Sequence, residues 1–231
     1  MPGELGGEDM KESDYDKWQI ELSLAEHLFL AEEYEKALEP NLRIGERLHE
    51  LFDFSSAIQF TDRALICSEK TQNKEKLIES LNQKGKILQS TFRYSDAIEV
   101  HNKSLEIAKE IGDRAGEAQT LHQIGRVYEG TNRFKEALES YNRSLEIEKE
   151  IGYRAGEAST LHQIGMVYQK TNRFQEALES NNRSLEIERE TGNEAGAEIS
   201  NKAIAALQKK MRRDSGSRLK DLFKTILNNL K

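Results

Sequence analysis

Residues 114–153 read RAGEAQTLHQIGRVYEGTNRFKEALESYNRSLEIEKEIGY, and residues 154–193 read RAGEASTLHQIGMVYQKTNRFQEALESNNRSLEIERETGN. Thirty-one of the forty positions are identical. A chain that repeats itself at this spacing builds stacked units with one continuous core, because a single unit cannot bury its own apolar face. The period reaches further back. Gly45, Gly85, Gly125 and Gly165 are forty apart, as are Ala57, Ala97, Ala137 and Ala177, and Leu65, Leu105, Leu145 and Leu185.

Inside each unit the apolar residues have helical spacing. Leu121, Ile124 and Tyr128 share one side of a first helix, and Phe134, Ala137, Tyr141, Leu145 and Ile147 share one side of a second. The turn between them is Gly130-Thr131-Asn132-Arg133. Asn132 tolerates the left-handed backbone that a tight helix–helix turn requires. Gly112, Gly152 and Gly192 fall just past the second helices, the usual place for a helix-ending glycine. Gly125 and Ala137 are small, so the helices of a pair can approach closely there.

The string Leu121-x-x-Ile124-Gly125-x-x-Tyr128, followed by Phe134-x-x-Ala137, Tyr141 and Ser144, resembles the tetratricopeptide repeat family in its long, forty-residue variety. The likeness covers residues 41–193 well and 194–231 weakly. It implies an all-α fold, a right-handed superhelical solenoid of antiparallel helix pairs, and a protein-binding role. Asn181 departs from the pattern, since it stands where Tyr141 supplies an aromatic. The expected organisation is a disordered 1–12, a capping helix region at 13–38, four repeats at 39–73, 74–113, 114–153 and 154–193, and a degenerate fifth repeat at 194–231. A long or broken capping helix, at 14–38, carries Trp18, Ile20, Leu24 and Leu28 along one side, and Pro40 starts the next helix. Leu28 to Leu38, with Tyr34 and Ala37, also reads as a repeat turn and second helix, a reading that collides with Gly45 in the next first helix. At the other end Ala205 fits the first-helix slot of the fifth unit. Leu219, Leu222, Phe223, Ile226, Leu227 and Leu230 form the apolar stripe of a second, basic capping helix.

Composition suits a two-layer stack. Only 36% of the 231 residues are hydrophobic and 32% are charged. The single cysteine allows no internal disulfide, and Cys67 aligns with Ile107 and Ile147, which reads as a small buried hydrophobe. No apolar run reaches membrane-spanning length, and the first thirty residues lack a signal pattern; the expected setting is soluble and cytoplasmic. The triplets at Asn102, Asn142 and Asn182 recur with the repeat and read as its by-products. The net charge of −7 is uneven, with nine Lys/Arg against Asp214 and Asp221 in residues 202–231. An acidic body argues against nucleic-acid binding by the repeats and leaves a membrane or nucleic acid to the basic C-terminal helix as the alternative.

In the family it resembles, the first helices line a concave groove that receives a peptide. Projected from the repeat, that wall holds Asn82, Lys86 and Gln89; Gln119, His122, Arg126 and Glu129; Ser159, His162, Met166 and Gln169; and Lys202 and Lys209. Nine positions differ between the two copies, and four of them fall on this wall or its lip: Gln119/Ser159, Arg126/Met166, Glu129/Gln169 and Gly130/Lys170. Such a wall suits a protein or peptide partner with carboxylates, which Lys and Arg hold by charge-assisted hydrogen bonds. Self-association through an incompletely capped end is a further option. No nucleophile–base pair, small-molecule site or cofactor motif is present. His122 and His162 lie one unit apart, on the order of 10 Å, too far to share a metal.

Overall fold

The computed structural model describes residues 12–229, with side chains described from 17 to 213. The expectation for 1–11 and the side chains of the Leu219–Leu230 stripe therefore lie outside the described residues. The fold is an all-α solenoid of antiparallel helix pairs. It divides into two compact units, Met1–Ile111 and Gly112–Lys231.

The first unit holds α1 (Glu12–Leu30), α2 (Tyr34–Glu50), α3 (Phe54–Lys70), α4 (Lys74–Ser90) and α5 (Tyr94–Ile111). The second holds α6 (Arg114–Gly130), α7 (Phe134–Glu150), α8 (Arg154–Lys170), α9 (Phe174–Glu190) and α10 (Glu194–Asn229). Most helices have seventeen residues and a three-residue turn, so the forty-residue period is two equal strokes of twenty. A positive φ marks each stroke: Glu32, Phe52, Gln72, Phe92, Gly112, Asn132, Gly152, Asn172 and Gly192 all have φ between 53° and 72°. At each one but Gly112 the chain closes as at Asn132. There the Arg133 N–H bonds the Tyr128 carbonyl at 2.8 Å, and the Asn132 N–H bonds that of Glu129 at 3.1 Å. Both bonds satisfy carbonyls that the helix end would strand.

Asp53, Asn73, Asp113 and Asn193 then start the next helix by accepting the N–H three residues on. Such a cap contributes roughly 1 kcal/mol.

Two boundaries differ from the sequence reading. The chain turns at Glu32, and α2 begins at Tyr34 with Pro40 inside it. The 14–38 stretch is broken at this turn, Pro40 lies within a helix and does not start one, and the first pair is α2–α3. An interior proline costs about 3 kcal/mol. The helix persists because Ala37, Leu38, Leu42, Ile44 and Leu48 are buried on both sides of Pro40, and burying one large aliphatic side chain stabilises by about 1.5–3 kcal/mol. The expected side of α1 is also split, with Trp18 packed on the core and Ile20 and Leu24 exposed. At the other end α10 is one helix from Glu194 to Asn229. The turn slot holds Met211-Arg212-Arg213, good helix formers, so the backbone runs straight through the place of the expected fifth turn.

The core follows the repeat. In the second unit Ala137, Tyr141, Leu145, Ala158, Leu161, Ile164, Val167 and Ile187 form one cluster. In the first, Ala25, Ile44, Leu48, Ala57 and Ile87 form one, and Ala37, Leu38, Leu42, Ala64 and Cys67 another. Burial pushes the Cys67 thiol up to about 11, which keeps it protonated and inert.

The repeated glycine sets how close the helices of a pair lie. A Cβ built on Gly125 would stand 2.6 Å from Tyr141 Cε1. On Gly45, Gly85 and Gly165 it would meet Thr61, His101 and Asn181 at 2.7, 2.3 and 2.5 Å. Gly125→Leu is therefore expected to lower unfolding free energy by about 1–3 kcal/mol, read from urea denaturation; a midpoint equal to the parent's would show that the crossing can open.

Candidate functional site

In the second unit the surface of α6 and α8 is sorted by turn of helix. Gln119 and Arg126 are exposed on α6, with His122 half-buried between them. On α8 Ser159 is exposed, and His162, Met166 and Gln169 are half-buried. Lys202 and Lys209 are exposed on α10. In the first unit Lys86 and Gln89 are half-buried on α4. These residues occupy the positions that helical spacing predicts.

Two projected residues do not face outward. Asn82 is only 2% exposed, and its Oδ1 lies 3.0 Å from the Nδ1 of His101 on α5. Glu129 is 7% exposed and doubly held. The Tyr141 hydroxyl donates to its Oε2 at 2.9 Å, and Lys170 Nζ donates to its Oε1 at 2.8 Å. Burial, and then the Glu129 charge, push the Tyr141 phenol far above its ordinary range, so it remains a donor. Two of the four differences between the copies are thus partners of each other: Glu129 in one meets Lys170 in the next. Their divergence serves the seam between α6 and α8.

A second chain of polar contacts crosses the same seam. Thr160 Oγ1 donates to Glu148 Oε1 at 3.0 Å. A hydroxyl has one proton, so the His122 Nδ1 that lies 2.9 Å from Thr160 Oγ1 is the donor there. The His122 ring also meets Tyr141 edge-on, with centroids 5.4 Å apart. Ser144 donates to the Ala118 carbonyl at 2.7 Å. Burial holds the Glu148 carboxyl above the usual carboxylate range, against the pull of the Thr160 and Ser144 hydroxyls. None of these buried groups was visible in the sequence as a network, although Thr160, Glu148 and His122 each recur or are matched forty residues away.

The next seam, α8 to α10, is built from the same slots with three of them changed: Ser200, Asn181 and Gln169 stand for Thr160, Tyr141 and Glu129. The Ser200 hydroxyl turns to Ser184 at 3.4 Å. His162 Nδ1 and Asn181 Oδ1 are then buried without a partner among the described residues. Beside this seam lies an open cavity of about 310 Å³ lined by Met166, Gln169, Lys170, Asn172 and Lys210.

Arginines at the starts of α6 and α8 and in the turns before α7 and α9 are paired with carboxylates. Arg114 pairs with Glu117 and Glu150, Arg154 with Glu157 and Glu190, Arg133 with Glu136, and Arg173 with Glu176. On the first-helix faces Arg126 makes only a long contact to Gln123 Oε1 at 3.4 Å. Lys210 lies 4.5 Å from the centre of the Phe174 ring. Lys202 is the exception, paired with Glu198 at 2.6 Å. Among the described residues no group of three His, Cys, Asp or Glu could hold a metal, and no helix is long and apolar enough to cross a membrane.

A family model described as tetratricopeptide repeat matches residues 76–150, and another with the same description matches 158–194. No curated protein matches the sequence. Among solved structures, BtubC (BKLC) from P. vanneervenii is similar with a TM-score of 0.68 and 16% identity, over 94% of this chain and 93% of that one. Aspartyl phosphate phosphatase F from Bacillus subtilis gives 0.71 and 12%, over 94% and 66%. A Rap protein complexed with Competence and Sporulation Factor gives 0.64 and 14%, over 83% and 60%. At these identities the likeness is one of fold.

Two outcomes test the seams. A carboxyl whose pKa rises on folding loses stability as pH climbs past its unfolded value, because the unfolded chain releases the proton first. Glu148→Gln should therefore melt above the parent at neutral pH, with the gap closing below about pH 4, where Glu148 is protonated in both states. A gap independent of pH would mean an ordinary carboxylate. In the other seam, Asn181→Tyr with Gln169→Glu would set a phenol and a carboxylate beside Lys210 as Tyr141 and Glu129 stand beside Lys170. The pair is expected to add about 1–2 kcal/mol in chemical denaturation, and each single change less than half of that sum.

Proposed function

From the premise that this is a tetratricopeptide-repeat protein across residues 76–194, we propose that it is a protein-interaction scaffold. Its first-helix faces receive an extended or helical segment of a partner that carries carboxylates. Repeats of this type typically act as non-catalytic interaction modules, and a binding role accords with the absence of any nucleophile–base pair in the sequence reading.

The observation that supports an acidic partner is that Lys86, Arg126 and Lys209, three of the four Lys/Arg projected on the first-helix faces, have no carboxylate partner among the described residues, whereas Lys202 pairs with Glu198. Arg114, Arg133, Arg154 and Arg173 are neutralised by glutamates. An exposed arginine beside polar Gln119 and half-buried His122 offers two parallel hydrogen bonds to an incoming carboxylate. Met166, at the slot of Arg126, supplies apolar contact in the next pair and adapts its shape to what it meets. His162 Nδ1 lacks a partner, and a polar partner group that reached it would relieve a buried unsatisfied atom. The Rap protein solved in complex with Competence and Sporulation Factor is similar in fold and lends general support to a protein or peptide ligand.

Arg126→Glu in the second unit and Lys86→Glu in the first should each weaken binding of an Asp/Glu-rich peptide in fluorescence polarisation. Each charge that is lost and reversed on such a face is expected to weaken affinity by about tenfold or more at low salt. An affinity equal to that of the parent would remove these faces as the docking surface.

A further inference from the structure

The order of the helices carries a second, independent inference. By the forty-residue register α2, α4, α6, α8 and α10 are first helices, and α3, α5, α7 and α9 are second helices. Leu30, the end of α1, lies forty residues before Lys70, the end of the second helix α3, so α1 occupies a second-helix slot. The described array therefore opens on a second helix that lacks its first and closes on a first helix that lacks its second.

We propose that a second copy of this chain completes the array, with the α1 of one copy seated against the α10 of the other as the missing pair. The faces concerned are the ones that every internal pair buries. On second helices, Ser104, Ser144 and Ser184 donate to the first-helix carbonyls of Ile78, Ala118 and Ala158. Those serines and Ala64, in the same slot of α3, are 0% exposed. Leu24 holds that slot in α1 and is 50% exposed, with Ile20 beside it at 66%. On first helices, the slot of Gly45, Gly85, Gly125 and Gly165 is buried, and so is that of Leu81, Leu121 and Leu161. In α10 these slots are Ala205 and Asn201, and both are exposed. Ala205 is still small, so a helix can approach closely.

Charge selects the second copy as occupant. Residues 12–30 carry five acids against Lys17, of which Glu21 and Glu26 already pair with Arg43 and Arg63, and residues 194–229 carry eight Lys/Arg against four acids, with Lys202 and Glu198 paired to each other. Opposite net charges bring α1 of one copy to α10 of another and disfavour either helix meeting its own kind. Lys17 stands where α3, α5, α7 and α9 have alanine. The intermolecular pair is therefore looser than the internal ones, and its formation depends on concentration. The contact is heterologous, so assembly continues past the dimer unless a ring closes.

Sedimentation velocity of the full chain, from low to several hundred micromolar, tests this. The mean mass should rise with concentration and fall back as salt is added. Leu24→Glu and Ala205→Glu are exposed helix positions, and circular dichroism checks that each variant keeps its helix content. Each variant alone should be monomeric. Their equimolar mixture should give a heterodimer and stop there, because Leu24→Glu leaves α10 intact and Ala205→Glu leaves α1 intact. A parent that stays monomeric throughout, or a mixture that stays monomeric while the parent associates, overturns the proposal. Either result leaves the acidic-peptide reading standing, since that reading depends on Arg126 and Lys86.

Discussion

The contact on which the rest depends is between a glycine Cα and the side chain sixteen residues later. Gly45, Gly85, Gly125 and Gly165 each lie under one residue of the following helix. Removing one Cβ brings two helices close enough for the serine at the next slot to reach a backbone carbonyl, as Ser144 reaches Ala118. The occupant over the glycine is free to vary: Thr61, His101, Tyr141 and Asn181 are all buried. Close approach is thus fixed in every pair, while the chemistry at the crossing differs from pair to pair.

That freedom explains the seams. Tyr141 is long enough to cross its own pair and donate to Glu129, which then attracts Lys170 from the next unit. Asn181 is too short to make the same link, and its amide nitrogen turns to the Ala177 carbonyl at 2.8 Å. Two substitutions, Asn181 for Tyr141 and Gln169 for Glu129, therefore remove the charged bridge from the next seam. The α6–α8 seam has both the bridge and the His122–Thr160–Glu148 chain, whereas at α10 Ser200 turns to Ser184 and His162 Nδ1 and Asn181 Oδ1 are buried without a partner among the described residues. Local stability should decline toward α10, in keeping with one-dimensional arrays whose stability is a sum of nearest-neighbour terms.

The repeat made most of the fold legible. The forty-residue period runs through the helix pairs from 74 to 193, and Gly112, Gly152, Gly192 and Asn132 announce left-handed turns by their residue type. Phe52, Phe92, Gln72 and Glu32 adopt the same φ without announcing it. Their neighbours fix them, because a seventeen-residue helix on either side leaves no other closure. Pro40 misled for the same reason. Its local preference marks a helix start, and the burial on both sides of it outweighs that preference. On the candidate face, Gln119, Arg126 and Ser159 were readable because their exposure follows from helical spacing alone. Asn82 and Glu129 were not, because their burial depends on which residue sits over the neighbouring glycine. Projection along the repeat carries backbone position faithfully and loses side-chain partnership.

The same distinction separates the two surfaces the chain offers. Arg126 and Met166 lie above an almost identical core, so the difference between them changes what can bind without disturbing how the array is held. At the ends the reverse holds. Leu24 and Ala205 stand in slots that packing governs elsewhere, and their exposure reflects a missing neighbour. A residue such as Arg126 can change freely as a partner changes. A residue such as Leu24 is constrained by the shape of a helix pair even when that pair is formed between copies. As proposed, the array separates recognition, carried on its first-helix faces, from extension, carried on the faces of α1 and α10 that no described helix covers.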